Sequence, residues 1–157
     1  KIDNAKSIVL QSNYANQYAA AGDKTLIDQQ RGGSNYRTGN WQGYREDLVA
    51  TIDLGKVKDI ASVSLGCMQD IKSWIFFPKK VEYLFSTNGK NFSSLGVIHT
   101  TFSDSIEGSF TKDYMLKTAS TKARYLKVKA KNYGVCPDWH LGAGGKTWLF
   151  VDEIIIK

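Results

Sequence analysis

The sequence predicts an all-β fold, an antiparallel β-sandwich of eight strands, and three observations predict it. From residue 48 onward the apolar positions recur mostly with period two, in short segments rich in Val, Ile, Tyr and Phe, which is the pattern of half-buried strands. Turn signals such as Asn88-Gly89 and Leu54-Gly55-Lys56 separate these segments. A chain of 157 residues, 42% of them hydrophobic, has the size of one domain with one core. Regular strands with turns between them bury one face of each of two sheets against the other.

The strands follow in order. Residues 7–11 form the first, and residues 48–54 and 60–68 the next two, parted by the Leu54-Gly55-Lys56 turn. Residues 80–86 and 95–100 flank Asn88-Gly89, and residues 110–117 and 123–131 come next. Residues 148–156 close the chain with the apolar run that ends in Ile154-Ile155-Ile156. In Arg124-Tyr125-Leu126-Lys127-Val128-Lys129-Ala130-Lys131, alternation puts Leu126, Val128 and Ala130 on one face and Lys127, Lys129 and Lys131 on the other. Much of the net charge of +6 is therefore expected on a solvated strand face, where lysine also discourages edge pairing. This argues against a nucleic-acid partner.

No apolar run approaches the roughly 18 residues of a membrane span, so no membrane-spanning segment is expected. The chain starts at Lys1-Ile2-Asp3-Asn4 without Met and stops on its last strand. We expect one domain over residues 1–157, cut from a longer protein. Cys67 and Cys136 are expected as free, buried thiols, since a core of this size needs no staple.

Three long segments interrupt the strands, residues 12–47, 69–79 and 132–147, and connections of that length usually bind something or are pinned by an ion. His140-Leu141-Gly142-Ala143-Gly144-Gly145-Lys146-Thr147 ends like a phosphate-binding loop, but His140 stands where the first glycine belongs and a strand follows instead of a helix. Catalysis has little support. The Gly-x-Ser-x-Gly and His-Glu-x-x-His patterns are absent, and His99 and His140 are the only histidines. Cys136 and His140 lack the further ligands of a zinc site.

What stands out is aromatic residues in loops beside planar and charged groups: Asp70, Trp74, Phe76 and Phe77; Asp138, Trp139 and His140; Arg37, Trp41 and Tyr44. A pyranose stacks its C–H face on a ring and bonds its hydroxyls to Arg, Asp or His, so this combination suits sugars. The candidate ligand-binding residues are Trp74 and Trp139 as stacking surfaces, with His140, Asp138 and Arg37 as hydroxyl partners. Core packing is the plainer reading for Trp41 and Trp148. Exposed Phe76 and Phe77 with the positive charge would also permit a membrane-surface or polyanion binder. The stretch around Asp28, from Asp23 to Gly33, offers a carboxylate among turn residues, which fits either a hydrogen-bonded Asx-type turn or hard-oxygen ligation of Ca²⁺.

Six pieces of sequence occur in a familiar order: Thr25-Leu26-Ile27-Asp28, Arg37-Thr38-Gly39-Asn40-Trp41, Ala50-Thr51-Ile52-Asp53-Leu54-Gly55, the stretch from Val81 through Ser86-Thr87-Asn88-Gly89 to Phe92, Ala123-Arg124-Tyr125-Leu126-Lys127-Val128 and Val151-Asp152-Glu153-Ile154. Together they resemble coagulation factor 5/8 type C, or discoidin-like, domains over essentially the whole chain. Within that group the loops Tyr36-Arg37-Thr38-Gly39-Asn40-Trp41-Gln42-Gly43, Ser73-Trp74-Ile75-Phe76-Phe77-Pro78 and the stretch from Cys136 to Lys146 are similar to family 32 carbohydrate-binding modules, specifically the C-terminal modules of chitobiase-like β-hexosaminidases of Bacteroides-type organisms. The resemblance implies a galactose-binding-domain-like jelly roll, a structural Ca²⁺ and a sugar site in loops at one end. It implies ion ligands at Asp28, Thr38 and Glu153 and at the Thr25 carbonyl, although Asp28-Gln29 stands where the family has Asp-Gly. It further implies a non-catalytic, monomeric module for glycans with terminal GlcNAc, GalNAc or galactose, attached to a glycoside hydrolase that is secreted, periplasmic or at the bacterial cell surface. The alternative is a structural or protein-interaction domain of the same fold without a sugar site.

Overall fold

The computed structural model describes residues 7–157, so the chain start at Lys1-Ile2-Asp3-Asn4 lies outside the described residues. Its strands are β1 (Ser7–Leu10), β2 (Gln42–Tyr44), β3 (Leu48–Gln69), β4 (Lys80–Ser86), β5 (Ser93–His99), β6 (Phe110–Ala130) and β7 (Leu149–Ile156), all paired antiparallel. Two of them are long enough to serve both layers. One layer runs β1-β3-β6-β4-β5 through the first half of β3 and the second half of β6; the other runs β2-β7-β3-β6 through the remaining halves. Each therefore joins two of the eight expected segments, 48–54 with 60–68 and 110–117 with 123–131. The turn expected at Leu54-Gly55-Lys56 is instead a bend, with register shifts between Asp53 and Lys58 and between Ile60 and Ser62. Arg124 clasps Asp53 there at 2.9 and 3.1 Å.

Alternation explains the first layer. Leu48, Ala50, Ile52 and Leu54 are buried while the residues between them are half-buried, and Leu126, Val128 and Ala130 are buried opposite them. Lys129 is exposed and Lys127 half-buried, as a solvated outer face requires. In the second layer the alternation disappears, because Val63–Gln69 is buried throughout. Val63, Leu65 and Cys67 face the main core, while Met68 joins Trp41, Ile75, Trp148 and Phe150 in a second cluster beneath the loops. A sheet covered on both sides has no polar face to reveal its period.

β2 falls inside the segment 12–47 that sequence reading leaves without a strand. All three of its residues are buried, so it carries no alternating signal. Expectations about three aromatic residues are corrected here: Tyr44, Phe76 and Phe77 are each at most 2% exposed, Tyr44 within β2 and the two phenylalanines in a loop that lies over the sheet and needs an apolar underside. Trp41, 2% exposed, packs in the core as its plainer reading expects. The membrane-surface reading thereby loses Phe76 and Phe77, the exposed rings on which it rests. Cys67 and Cys136 are free and buried. Among the described residues no helix is long and apolar enough to cross a membrane.

Candidate functional site

The loop after β3 is a short 3₁₀ turn, Ile71–Ser73, ended by Trp74 in the left-handed conformation at φ +66°, with its N–H donating to the Ile71 carbonyl at 3.0 Å. A large aromatic residue takes that conformation only at a cost, and such costs cluster at binding sites. The loop is pinned to the start of β7: the Trp148 N–H donates to the Trp74 carbonyl at 2.8 Å and the Phe76 N–H to the Trp148 carbonyl at 3.1 Å. Trp74 is thus held by backbone on both sides.

The loop over residues 132–147 is closed at its neck. Thr147 Oγ1 donates to Asn132 Oδ1 at 2.7 Å and accepts from the Gly134 N–H at 2.9 Å, and further out the Cys136 N–H donates to the Gly145 carbonyl at 2.7 Å. Here the Gly-Gly-Lys-Thr sequence finds its purpose: Thr147 seals a loop and the glycines give way to a ring. A Cβ on Gly142 would lie 2.3 Å from the Trp74 indole, and one on Gly145 2.6 Å from it. Only glycine at both positions lets Trp74 lie flat on the loop.

His140 joins the two loops. Its Nδ1 accepts from the Gly142 N–H at 2.8 Å and its Nε2 lies 2.6 Å from the Ile71 carbonyl. The first bond makes Nδ1 the acceptor, so Nε2 carries the proton and donates to Ile71. Both ring nitrogens are committed inside the protein. His140 therefore acts as a brace with aromatic neighbours, its ring 5.9 Å from Trp74 and 5.8 Å from Trp139, and offers no free nitrogen to a hydroxyl.

Trp74, Trp139 and His140 line one cavity of about 470 Å³ together with Ile71, Lys72, Glu107 and Leu141, within the size range of small-molecule sites. Trp74 is 38% and Trp139 53% exposed, so both present ring surface to solvent. Lys72 and Glu107 pair across it at 3.3 Å and supply charged donors and acceptors. Sequence reading does not name either: Glu107 comes from the segment between β5 and β6, where no motif marks it. Arg37 and Asp138 are exposed but do not line this cavity. Arg37 instead sits 4.9 Å over its own neighbour Tyr36.

The residues considered for an ion lie elsewhere, where the first long loop meets β7. Glu153 is only 5% exposed and accepts from the Gln29 N–H at 3.0 Å. Burial, with Asp28 beside it, pushes its carboxyl up to about 8. Asp28 accepts from the Gln30 N–H at 2.9 Å, and among the described residues no basic side chain pairs with either acid. Gln29 takes φ +64°, so the backbone keeps the left-handed turn that glycine adopts freely. The hydroxyls of both threonines are taken up by the loop itself: Thr25 Oγ1 donates to the Gly22 carbonyl at 2.8 Å and Thr38 Oγ1 to the Gly32 carbonyl at 2.9 Å. Two carboxylates meeting without a cation fit a hard divalent ion. No three acidic, histidine or cysteine residues gather among the described residues, so carbonyl oxygens would have to complete its shell.

Comparison with solved structures returns the same architecture. The module CpGH89CBM32-5 from Clostridium perfringens, in complex with GalNAc-β-1,3-galactose, aligns over 96% of this chain and 93% of its own, at 19% identity and a TM-score of 0.61. The C-terminal domain of a chitobiase from Bacteroides fragilis aligns over 98% and 95%, at 19% identity and 0.59. Chitosan-binding module 1 from a chitosanase/glucanase of Paenibacillus sp. IK-5 aligns over 99% and 97%, at 13% identity and 0.59. These likenesses establish the β-sandwich of carbohydrate-binding modules. No curated protein matches the chain. The model of the F5/8 type C domain matches residues 5–149, and the chain belongs to that family.

Proposed function

We propose that this domain is a non-catalytic carbohydrate-binding module that holds a terminal GlcNAc-, GalNAc- or galactose-type sugar between Trp74 and Trp139. The observation that carries the reading is the pair of solvent-facing indoles on two loops that His140 and the backbone lock together. Rings fixed before the ligand arrives lose little entropy on binding, and Lys72 and Glu107 at the rim offer hydrogen bonds to hydroxyls. The solved neighbours whose descriptions name GalNAc-β-1,3-galactose and chitosan support sugars of this class.

In this reading the module is part of an exported bacterial glycoside hydrolase, chitobiase- or β-hexosaminidase-like, and raises the enzyme's effective concentration at its glycan by linkage. A shallow site that contacts one or two sugars gives a Kd on the order of tens of micromolar to millimolar. A structural Ca²⁺ held by Asp28 and Glu153, with carbonyl oxygens of the 25–38 loop, belongs to the same proposal.

The test is a glycan array with hexosamine and galactose panels, followed by titration of Trp139→Ala and Trp74→Ala. Each variant should lose about five- to tenfold in affinity, because a stacked ring contributes about 1–1.5 kcal/mol, with the fold intact. A silent array from folded protein, or normal binding by either variant, sinks the assigned site.

A further inference from the structure

His140 is a titratable side chain built into the joint between the two tryptophan loops, and the two backbone groups it bonds are the ones that place Trp74. Gly142, whose N–H donates to Nδ1 at 2.8 Å, is where the indole lies, since a Cβ there would fall 2.3 Å from the ring. The Ile71 carbonyl, which accepts from Nε2 at 2.6 Å, also accepts the Trp74 N–H at 3.0 Å that closes the left-handed turn. Strained backbone persists only while its surroundings fix it. Here one imidazole fixes both the turn under Trp74 and the loop on which its ring rests.

The arrangement requires the neutral ring. Nδ1 offers its lone pair to the Gly142 N–H, and protonation sets a second N–H against that donor. The Gly142 N–H bonds no other acceptor among the described residues, so it is left unpaired. The Ile71 bond survives, because Nε2 donates in either form. His140 is half-buried, which lets a proton reach it.

The charged and titratable groups around the ring leave this step to His140 itself. Lys72 and Glu107 line the same cavity but pair with each other at 3.3 Å. On the loop after β3, Asp70 stands before Ile71 at the start of the turn. On the loop of His140, Asp138 and Lys146 are exposed, Cys136 is buried with Ile71 and Phe76, and Tyr133 donates to Asp104 at 2.6 Å. None of these side chains bonds to the imidazole. Its other neighbours are the rings of Trp74, Trp139 and Phe76, with centroids 5.8–5.9 Å away.

We propose that His140 is a proton-gated positioning residue of the sugar site. Its neutral form seats Trp74 against the loop that carries Trp139; a proton gained at Nδ1 breaks the Gly142 bond and unseats the indole, so sugar is held at neutral pH and released on acidification. The ligand in this inference rests on the carbohydrate-binding reading, whereas the gate rests on the two hydrogen bonds. Linked equilibria are reciprocal, so bound sugar in turn keeps the ring neutral to lower pH.

The experiment has two arms. In sugar-free protein, NMR follows the His140 ring, the Gly142 amide and the Trp74 indole N–H from about pH 7.5 to about pH 5, the range in which histidine changes charge. All three signals should move with one midpoint. In the second arm, a neutral N-acetylhexosamine or galactose oligomer is titrated over the same range, and affinity should fall about tenfold toward acid, the order of one lost hydrogen bond. His140→Asn keeps a side-chain oxygen that can accept from an N–H and cannot gain a proton. It should bind more weakly than the native protein at neutral pH and equally at both ends of the range. Glu107→Gln should keep the native relative fall, which places the proton on His140. Gly142 and Trp74 signals that ignore the His140 titration, a flat native affinity, or a fall retained in His140→Asn each overturns the gate and leaves the carbohydrate reading standing. If the three signals move together and no glycan binds at either pH, the carbohydrate reading falls and the gate loses its ligand.

Discussion

Gly142 and Gly145 carry more of the candidate site than any charged residue, because they leave the space in which the Trp74 ring lies. A methyl group at Gly142 would stand 2.3 Å from an indole that has solvent on its other side. The ring, not the backbone, would therefore give way. Gly142→Ala should cost under about 1 kcal/mol of stability, since the displaced ring swings toward solvent instead of overpacking the core. Glycan affinity should fall about tenfold, checked by titration beside a thermal melt; normal affinity would show that the ring's position does not matter. The sequence reveals tryptophans in loops but not which side of a loop they occupy. Trp74 and Trp139 face solvent, whereas Trp41, Phe76 and Phe77, in the same kind of segment, are buried. An aromatic residue in a strand declares its face through period two; in an irregular loop nothing does. His140 shows the same limit for polar groups, since its bond to Ile71 reaches across 69 residues of chain.

At the scale of elements, the strands were legible wherever one face is wet. The first half of β3 and the second half of β6 follow their expected spans within a residue, because alternating burial writes itself into the sequence. Their continuity through the bend was not, since a bend and a turn attract the same residues. β2 stayed hidden because it is buried throughout. What lays the first long loop over the second layer is Arg31. It bonds to Asp152 of β7 at 2.9 Å and to Asp113 of β6, while the Gly32 N–H also donates to Asp152 at 2.9 Å. Asp152 is 1% exposed, and its Oδ1 has no partner. Gly66 of β3 makes the pocket for this pair, since a Cβ there would fall 1.9 Å from Asp152 Oδ1. Arg31→Ala would leave a buried carboxylate with one backbone donor. We expect a loss of roughly 2 kcal/mol, below the range for a fully buried pair because Arg31 is itself half exposed. Chemical denaturation reads this directly; a midpoint within error of the native protein would mean that the Arg31 ion pairs do not hold the loop.

Across the whole molecule, the chain's two ends of function are separated: loops that meet at Trp74, Trp139 and His140 form one surface, and the proposed ion ties the first long loop to the last strand. Asp28 and Glu153 are 125 residues apart in sequence and meet only in the folded chain, so an ion shared between them binds the native state and not the unfolded one. That linkage stabilises by RT ln(1 + [Ca²⁺]/Kd), about 2.7 kcal/mol at a hundredfold excess over Kd. For a domain of this length each kcal/mol moves Tm by roughly 2–4 °C. Millimolar Ca²⁺ should therefore raise Tm by about 5–10 °C over a chelator-treated sample, with Mg²⁺ less effective because it tolerates irregular oxygen shells poorly. Glu153→Gln removes one carboxylate while keeping its shape and its ability to accept from the Gln29 N–H. In that variant the Ca²⁺-dependent increment should disappear while the chelated Tm stays equal to or above that of the native protein, because the acidic pair has been relieved. A native Tm that ignores both Ca²⁺ and chelator, in protein from which elemental analysis detects no metal, would leave Asp28 and Glu153 as a carboxyl pair sharing a proton and would remove the ion from the proposal.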